Sequence, residues 1–287
     1  MSHQKHHYVP AFLLEQWHSE DTRKLVSFRW AHGTLRSHPY TAQHVAKADH
    51  LYSMMRSAHQ PNVSAERDFL GPHVDDPAAK VHKKILAKGV RSLDLQDRAV
   101  WSRFLVAQLL RIPRMVEHMR GRGREILRRQ LQEAPDEYEA ARGDAAEESL
   151  YEWALKNSPD IFDDLAIQTL PSLVQSEVLN GVFLGQGVSW ATRQLHGSVH
   201  ELLIGDSPLV VVGTFTTSYL ACLPLGPRTA FFAFNNPSTW ERAMARSESD
   251  VTRDINWSTV QQADTYVYAR TVAQFGFIER HLKKPLG

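Results

Sequence analysis

His200-Glu201-Leu202-Leu203-Ile204-Gly205-Asp206-Ser207-Pro208-Leu209-Val210-Val211-Val212 reads as strand, tight turn, strand. It matters because of what flanks it. Leu220–Leu223 and Thr229–Phe234 have the same strand composition, around Pro224-Leu225-Gly226-Pro227. The last third is therefore strand-rich, and its helical periodicity returns only near the end. There, Val260, Ala263, Val267, Ala269 and Val272 suggest one closing helix from about Ser258 to Arg280.

Working back toward the N-terminus, the middle of the chain is helical. Asp76-Pro77 offers a helix start, Val81, Ile85 and Leu86 an apolar stripe, and Gly89 a stop. A longer helix begins near Asp94–Asp97 and carries Val100, Phe104, Leu105, Leu109 and Ile112 until Pro113 interrupts it. Another is expected around Leu173–Phe183. Before them, Leu25–Trp30 has strand composition, Ala31-His32-Gly33-Thr34 can turn it back, and Leu35 and Tyr40 mark a weaker second strand. The order strands, helices, strands, helix implies an α+β fold rather than alternating βαβ units. We expect a central helical layer and a small, mostly antiparallel sheet built from N-terminal and C-terminal strands. One domain over 1–287 is expected, with a mixed segment 1–60, a helical segment 76–185, and strands plus closing helix over 195–287.

Composition narrows the function classes. A formal net charge of +1 gives no global electrostatic case for nucleic acid or membrane. No apolar run approaches the roughly 20 residues of a membrane span, and the N-terminus lacks the apolar core of a secretory signal. The lone Cys222 excludes an internal disulfide and a cysteine zinc cage, and its apolar surroundings suggest a buried, inert thiol. These features lead us to expect a cytoplasmic protein.

Charge is unevenly distributed. Arg114, Arg120, Arg122, Arg124, Arg128 and Arg129 are followed by an acidic stretch over 133–164. Two solvated helices pairing their charges would explain the reversal; so would a basic face at Arg114–Arg129 for nucleic acid or a phosphorylated ligand.

Three groups of residues could carry chemistry. The first is His6-His7-Tyr8-Val9-Pro10, in a region holding nine of the fifteen histidines. Neutral imidazole is both a metal ligand and a general base, yet no HExxH or His-x-His spacing occurs. The second is Asp206, in Gly205-Asp206-Ser207-Pro208 at a strand end, which could be catalytic or could cap its own turn. The third is Gln108, Arg111 and Arg114, where Gln108 and Arg111 share a helix edge. Arg111 could pair a carboxylate at the core border or clamp an anion. The chain has no Gly-rich phosphate loop, no GxSxG elbow and no calcium-loop spacing.

Taken in order, these pieces resemble the bacterial proteins grouped as domain-of-unknown-function family 4238. His-His-Tyr-Val-Pro is the most characteristic part. Val45 through Lys47 to Tyr52, Phe104 through Arg111-Ile112-Pro113, Gly205-Asp206-Ser207-Pro208, Leu223–Pro227, and Asn256 with Tyr266-Val267-Tyr268 are similar to further segments of that family. Ala11 and Gly205 depart from its usual glutamine and Ser/Thr. The resemblance brings no activity with it. It implies that His6, His7, Arg111 and Asp206 belong to one arrangement. His, Arg and Asp together suit hydrolysis of a phosphodiester or other phosphorylated substrate. In that reading His6, His7, Arg111 and Asp206 are catalytic, Gln108, Arg114 and Lys47 bind substrate, and a divalent metal ion is a candidate cofactor. The competing reading is a non-catalytic binding or sensing protein whose His/Arg/Asp cluster is a structural polar network.

Overall fold

A computed structural model describes residues 5–54, 63–133 and 149–285. The fold is α+β, and every strand pairing in it is antiparallel. Among the described residues its strands form three small sheets rather than the single expected one.

The first is a ribbon of β1 (Lys5–His7) and β4 (Lys47–Asp49). The second joins β2 (Leu25–Ala31), β3 (Thr34–Tyr40), β6 (Ile204–Gly205) and β10 (Val267–Ala269) in the order β3-β2-β10-β6. It unites N-terminal and C-terminal strands, as expected. The third contains β5 (Ser189–Gln194), β7 (Val210–Gly213), β8 (Tyr219–Gly226) and β9 (Thr229–Phe234) in the order β5-β9-β8-β7. The β2–β3 hairpin turns at His32 and Gly33, whose φ angles of 50° and 74° suit a two-residue primed turn. That turn fixes the register Arg29 opposite Arg36 and Ser27 opposite His38.

The helices fill the space between. A wide π-type helix, Ala65–Asp75, runs directly into α2 (Asp76–Lys88), following the short α1 (Ala11–Leu14). Asp76-Pro77 is therefore a junction between two helices, not a free helix start. Asp94 and Asp97 close a reciprocal capping box on α3 (Leu95–Leu110). Ile112 is extended, and Pro113 opens α4 (Pro113–Gln132), where its missing N–H costs nothing. Then come α5 (Leu150–Asn157), α6 (Ile161–Gln175) and α7 (Glu177–Leu184); Ser176 splits what the sequence suggests as one helix near 173–183. The acidic residues within 134–148 lie outside the described residues.

Two expectations are corrected. The stretch at 200–212 is not a hairpin, because β6 pairs β10 while β7 pairs β8 in another sheet. The closing helix is also broken. It becomes α9 (Glu248–Gln262), then β10, then α10 (Phe275–His281), after α8 (Pro237–Met244). Tyr266-Val267-Tyr268 alternates aromatic and β-branched residues, which favours a pleated strand. Side-chain capture of the preceding backbone, described below, fixes it there.

The second sheet is two-faced. Phe28, Leu35, Val267 and Ala269 pack with Leu203, Val260, Ala263 and Ile278 into one apolar cluster. Alternation along the strands sends Ser27, Arg29, Arg36, His38, Tyr40, Tyr266 and Tyr268 to the opposite face. Leu25 and Tyr268 on that face pack into the main core, while Arg29, Arg36, His38 and Tyr40 stay exposed.

Candidate functional site

The N-terminal motif is anchored residue by residue. The Tyr52 backbone N–H donates to His6 Nδ1 at 2.9 Å, and the two rings stack in parallel with centroids 5.5 Å apart. His6 Nδ1 must therefore be the unprotonated nitrogen, leaving Nε2 to carry the hydrogen. Tyr52 Oη in turn donates to the Arg111 carbonyl at 2.5 Å. Glu66, from the π-type helix, sits near the Arg111 guanidinium and the His7 backbone. The Tyr8 N–H reaches the Ala46 carbonyl at 3.0 Å, and the Tyr8 and Tyr268 hydroxyls face each other. Pro10 leads into α1.

Arg111 is completely buried. Its Nη1 donates to both Asp75 oxygens, at 2.8 and 3.0 Å. The Gln108 amide oxygen accepts from Nε at 3.0 Å and also from Nη2. Phe104 lies beneath the guanidinium, 5.7 Å from ring centroid to Cζ. The fork is thus committed to protein partners, and the sequence reading of Gln108 and Arg111 as neighbours on one helix edge describes their contact.

Asp206 is also buried, and it reaches far along the chain. Its carboxylate accepts the N–H groups of Asp264, Thr265 and Tyr266 at 2.7–2.8 Å. Its own N–H donates to the Tyr266 carbonyl at 3.0 Å. Burial raises its pKa, while the three N–H groups pull the other way. Asp206 therefore ties down the entry to β10 instead of its own turn. Arg114 bonds the neighbouring Ser207 hydroxyl and the Asp264 carboxylate, each at 3.2 Å.

The structure brings His7, Arg111 and Lys47 together: Lys47 and Arg111 both act electrostatically on the His7 ring. Gln108 joins them through Arg111. Asp206 stands in a separate group with Tyr8, Tyr266 and Asp264. Tyr8 is the hinge between the two groups, coupling to Tyr52 on one side and to Asp206 and Tyr268 on the other.

Three polar atoms near the motif are buried without a hydrogen-bond partner: His6 Nε2, His7 Nε2 and Glu66 Oε2. Burial lowers the pKa of both histidines to about 4 and raises Glu66 to about 7. His82, whose ring nitrogen contacts the Leu225 carbonyl at 2.9 Å, is likewise lowered to about 4 by burial. The sign of the linkage follows. Three histidines titrate near 6.5 when unfolded and near 4 when folded, so their contribution to stability is lost as pH falls from about 6.5 to 4. Glu66 acts oppositely, losing stability as pH rises from about 4.5 to 7. Asp75 and Asp206, whose carboxyls burial also raises, act in the same direction as Glu66. The imidazole part is isolated by His82→Gln: its urea midpoint should fall less than the wild type's between pH 6.5 and pH 4.5, and an equal fall in both would contradict the burial of that imidazole.

Beside the motif lies a cavity of about 530 Å³. Its floor is the Arg29–Arg36 face of the second sheet, contributing Ser27, Arg29, Arg36, His38, Tyr40, Tyr266 and Tyr268. The β1–β4 ribbon and the chain leading to it form the wall, with Lys5, Tyr8, His44 and Lys47. The lining holds four cations and no carboxylate. Among the described residues, none of those four cations has a carboxylate within ion-pair distance. Arg29 and Arg36 sit directly opposite each other across β2 and β3, an arrangement that like charges disfavour. Of the candidate site residues, Lys47 lines this cavity, and His6, His7, Gln108, Arg111, Arg114 and Asp206 do not.

The sequence reading passed over Arg29, Arg36, His38 and Tyr40. The signal was available: a two-residue turn at His32-Gly33 sets the register that pairs the two arginines.

Elsewhere, the basic helix α4 has spent much of its charge internally. Arg122 pairs Glu125, Arg124 bridges Glu117 and Asp163, and Arg120 donates to the Leu51 carbonyl. Arg128 and Arg129 remain exposed. Cys222 is buried, which pushes its thiol upward. Among the described residues no three His, Cys, Asp or Glu side chains are placed to hold a metal ion, and no step below is routed through one. None of the helices described is long and apolar enough to cross a membrane.

These features define an α+β protein in which an N-terminal ribbon encloses a cationic, aromatic sheet face. Residues 5–272 match the family described as Protein of unknown function (DUF4238), and the chain belongs to that family. No curated protein and no solved structure gives a significant match.

Proposed function

We propose that this protein binds a phosphate-bearing ligand in the cavity between the β1–β4 ribbon and the β3-β2-β10 sheet face. One observation carries the reading. Lys5, Arg29, Arg36 and Lys47 converge on a single concave site, with no acidic partner among the described residues. Clustered unpaired cations repel one another, and an anion relieves that repulsion while accepting their hydrogen bonds. The His6–Tyr52–Arg111–Asp75 chain and the Asp206 clasp serve as positioning residues, holding the wall and the floor in place.

Calorimetric titration with inorganic pyrophosphate tests this. Arg29→Gln and Arg36→Gln should each weaken binding by about 10-fold or more, since charge-assisted hydrogen bonds contribute roughly 1.5–3 kcal/mol. Wild-type affinity should also fall steeply with salt. Failure of the wild type to bind, or full affinity in both variants, would end the reading.

A second reading, hydrolysis of a phosphoester at the same site, is favoured by the unpartnered His7 Nε2 and Glu66 Oε2. His7 is neutral at pH 7 and sits beside Lys47, the residue shared by the motif cluster and the cavity wall. A neutral imidazole with a free nitrogen can accept a proton from an attacking water. Turnover of bis(4-nitrophenyl) phosphate that disappears in His7→Gln, with pyrophosphate affinity retained, supports hydrolysis. Absence of turnover in the wild type leaves binding as the function.

A further inference from the structure

We infer that the phosphate-bearing ligand is a nucleotide, with its phosphates at the Arg29–Arg36 pair and its base against His38 and Tyr40. This rests on the phosphate reading above and deepens it.

The sheet face is laid out in rows. Tyr266, Arg29 and Arg36 form one, continuing the register of Val267 opposite Phe28, and Arg29 lies 5.9 Å from the Tyr266 ring centroid. Tyr268, Ser27 and His38 form the next. Tyr40 opposite Leu25 follows. A rise of about 3.4 Å per residue sets His38 roughly 7 Å and Tyr40 roughly 14 Å from the arginine row. The arginines thus occupy one end of the floor, beside Tyr266, and the exposed rings of His38 and Tyr40 the other, the polarity of a nucleotide.

The aromatic rings divide by accessibility. Tyr8 and Tyr268 are buried in the main core, so they belong to the scaffold. His38 and Tyr40 are exposed. Their centroids are 4.7 Å apart with planes tilted by 58°, which makes an angled corner with open ring faces. A planar base stacks on such faces whatever its identity.

Size argues for a single nucleotide over a strand. The cavity volume falls within the roughly 300–1,000 Å³ of small-ligand sites, and the β1–β4 ribbon closes one side. A single-strand groove needs room for about four nucleotides or more.

The test is a calorimetric panel of adenosine, guanosine, cytidine and uridine 5′-diphosphates, with pyrophosphate, ribose 5-phosphate and adenosine as partial probes. At least one nucleotide should bind about 5- to 100-fold more tightly than pyrophosphate, the gain expected of one stacked base. Tyr40→Ala and His38→Ala, both at exposed positions, should erase that gain and leave pyrophosphate affinity and melting temperature unchanged. Arg36→Gln should weaken every phosphorylated probe. Equal affinity for pyrophosphate and all nucleotides overturns the nucleotide assignment while phosphate binding stands. Adenosine binding as tightly as its diphosphate, or no probe binding at all, overturns both.

Discussion

Arg111→Ala should destabilise the protein by about 3–5 kcal/mol, the usual consequence of removing one member of a buried, hydrogen-bonded ion pair. The loss has three parts. Asp75 would keep a carboxylate whose two oxygens both contact Arg111 Nη1, in a setting where burial already raises its pKa. The Gln108 amide would lose both of its guanidinium donors. A completely buried long side chain would also leave a void beside Phe104. Against a total stability of about 5–15 kcal/mol, this is a large fraction. It corresponds to a fall in melting temperature of about 10 °C for a chain of this size. A double variant, Arg111→Met with Asp75→Asn, separates charge from packing. It should recover a substantial part of the loss, because no buried charge is then left without its partner. Recovery measured by urea unfolding would establish the pair as the source. If Arg111→Ala unfolds at the wild-type midpoint, the proposed network is not holding the N-terminal motif.

Asp206→Asn should be nearly as damaging, although it changes very little volume. Three backbone N–H groups point at the two carboxylate oxygens. An asparagine keeps one acceptor oxygen and turns an NH₂ group toward donors. At about 1–3 kcal/mol for each buried donor left unmade, the expected cost is about 2–4 kcal/mol. The effect should also spread to the cavity. Without the clasp at 264–266, Tyr266 and Tyr268 lose the constraint that starts β10, and pyrophosphate affinity should fall together with stability. Asp206→Asn therefore differs from Arg36→Gln, which should weaken binding while leaving the melting temperature in place. If Asp206→Asn kept full stability and lost only turnover, the carboxylate would be chemical rather than positional.

Much of the α+β order is legible along the chain, because each of its signals is local. The His32-Gly33 turn, the Asp94/Asp97 box and Pro113 each act within a few residues of themselves. The sequence also points to His6, His7, Arg111 and Asp206 as catalytic; His6, Arg111 and Asp206 are hydrogen-bonded to protein partners, and none of the four lines the cavity. What it misses depends on distance. β10 reads as a continuation of helix because its identity is decided by Asp206, some sixty residues earlier, and by pairing with β2 near the opposite end. The cavity is hidden for the same reason, since its floor exists only after β10 joins β2. Arg29 and Arg36 look like ordinary solvent-facing charges until the β1–β4 ribbon is laid alongside them. The 200–212 stretch misleads because two short strands with a turn between them look like a hairpin, although each finds a different partner.

The three-residue β10 also governs when the protein can complete itself. Its partner β2 precedes it by more than 200 residues, so the hairpin at 25–40 leaves the ribosome with one side unoccupied. At ordinary elongation rates that side waits roughly 10–50 s for its neighbour. Such long-range pairing slows folding and exposes backbone donors and acceptors to other nascent chains. The charged outer face of the hairpin, which serves the finished molecule as a ligand floor, would meanwhile discourage sticking between unfinished copies.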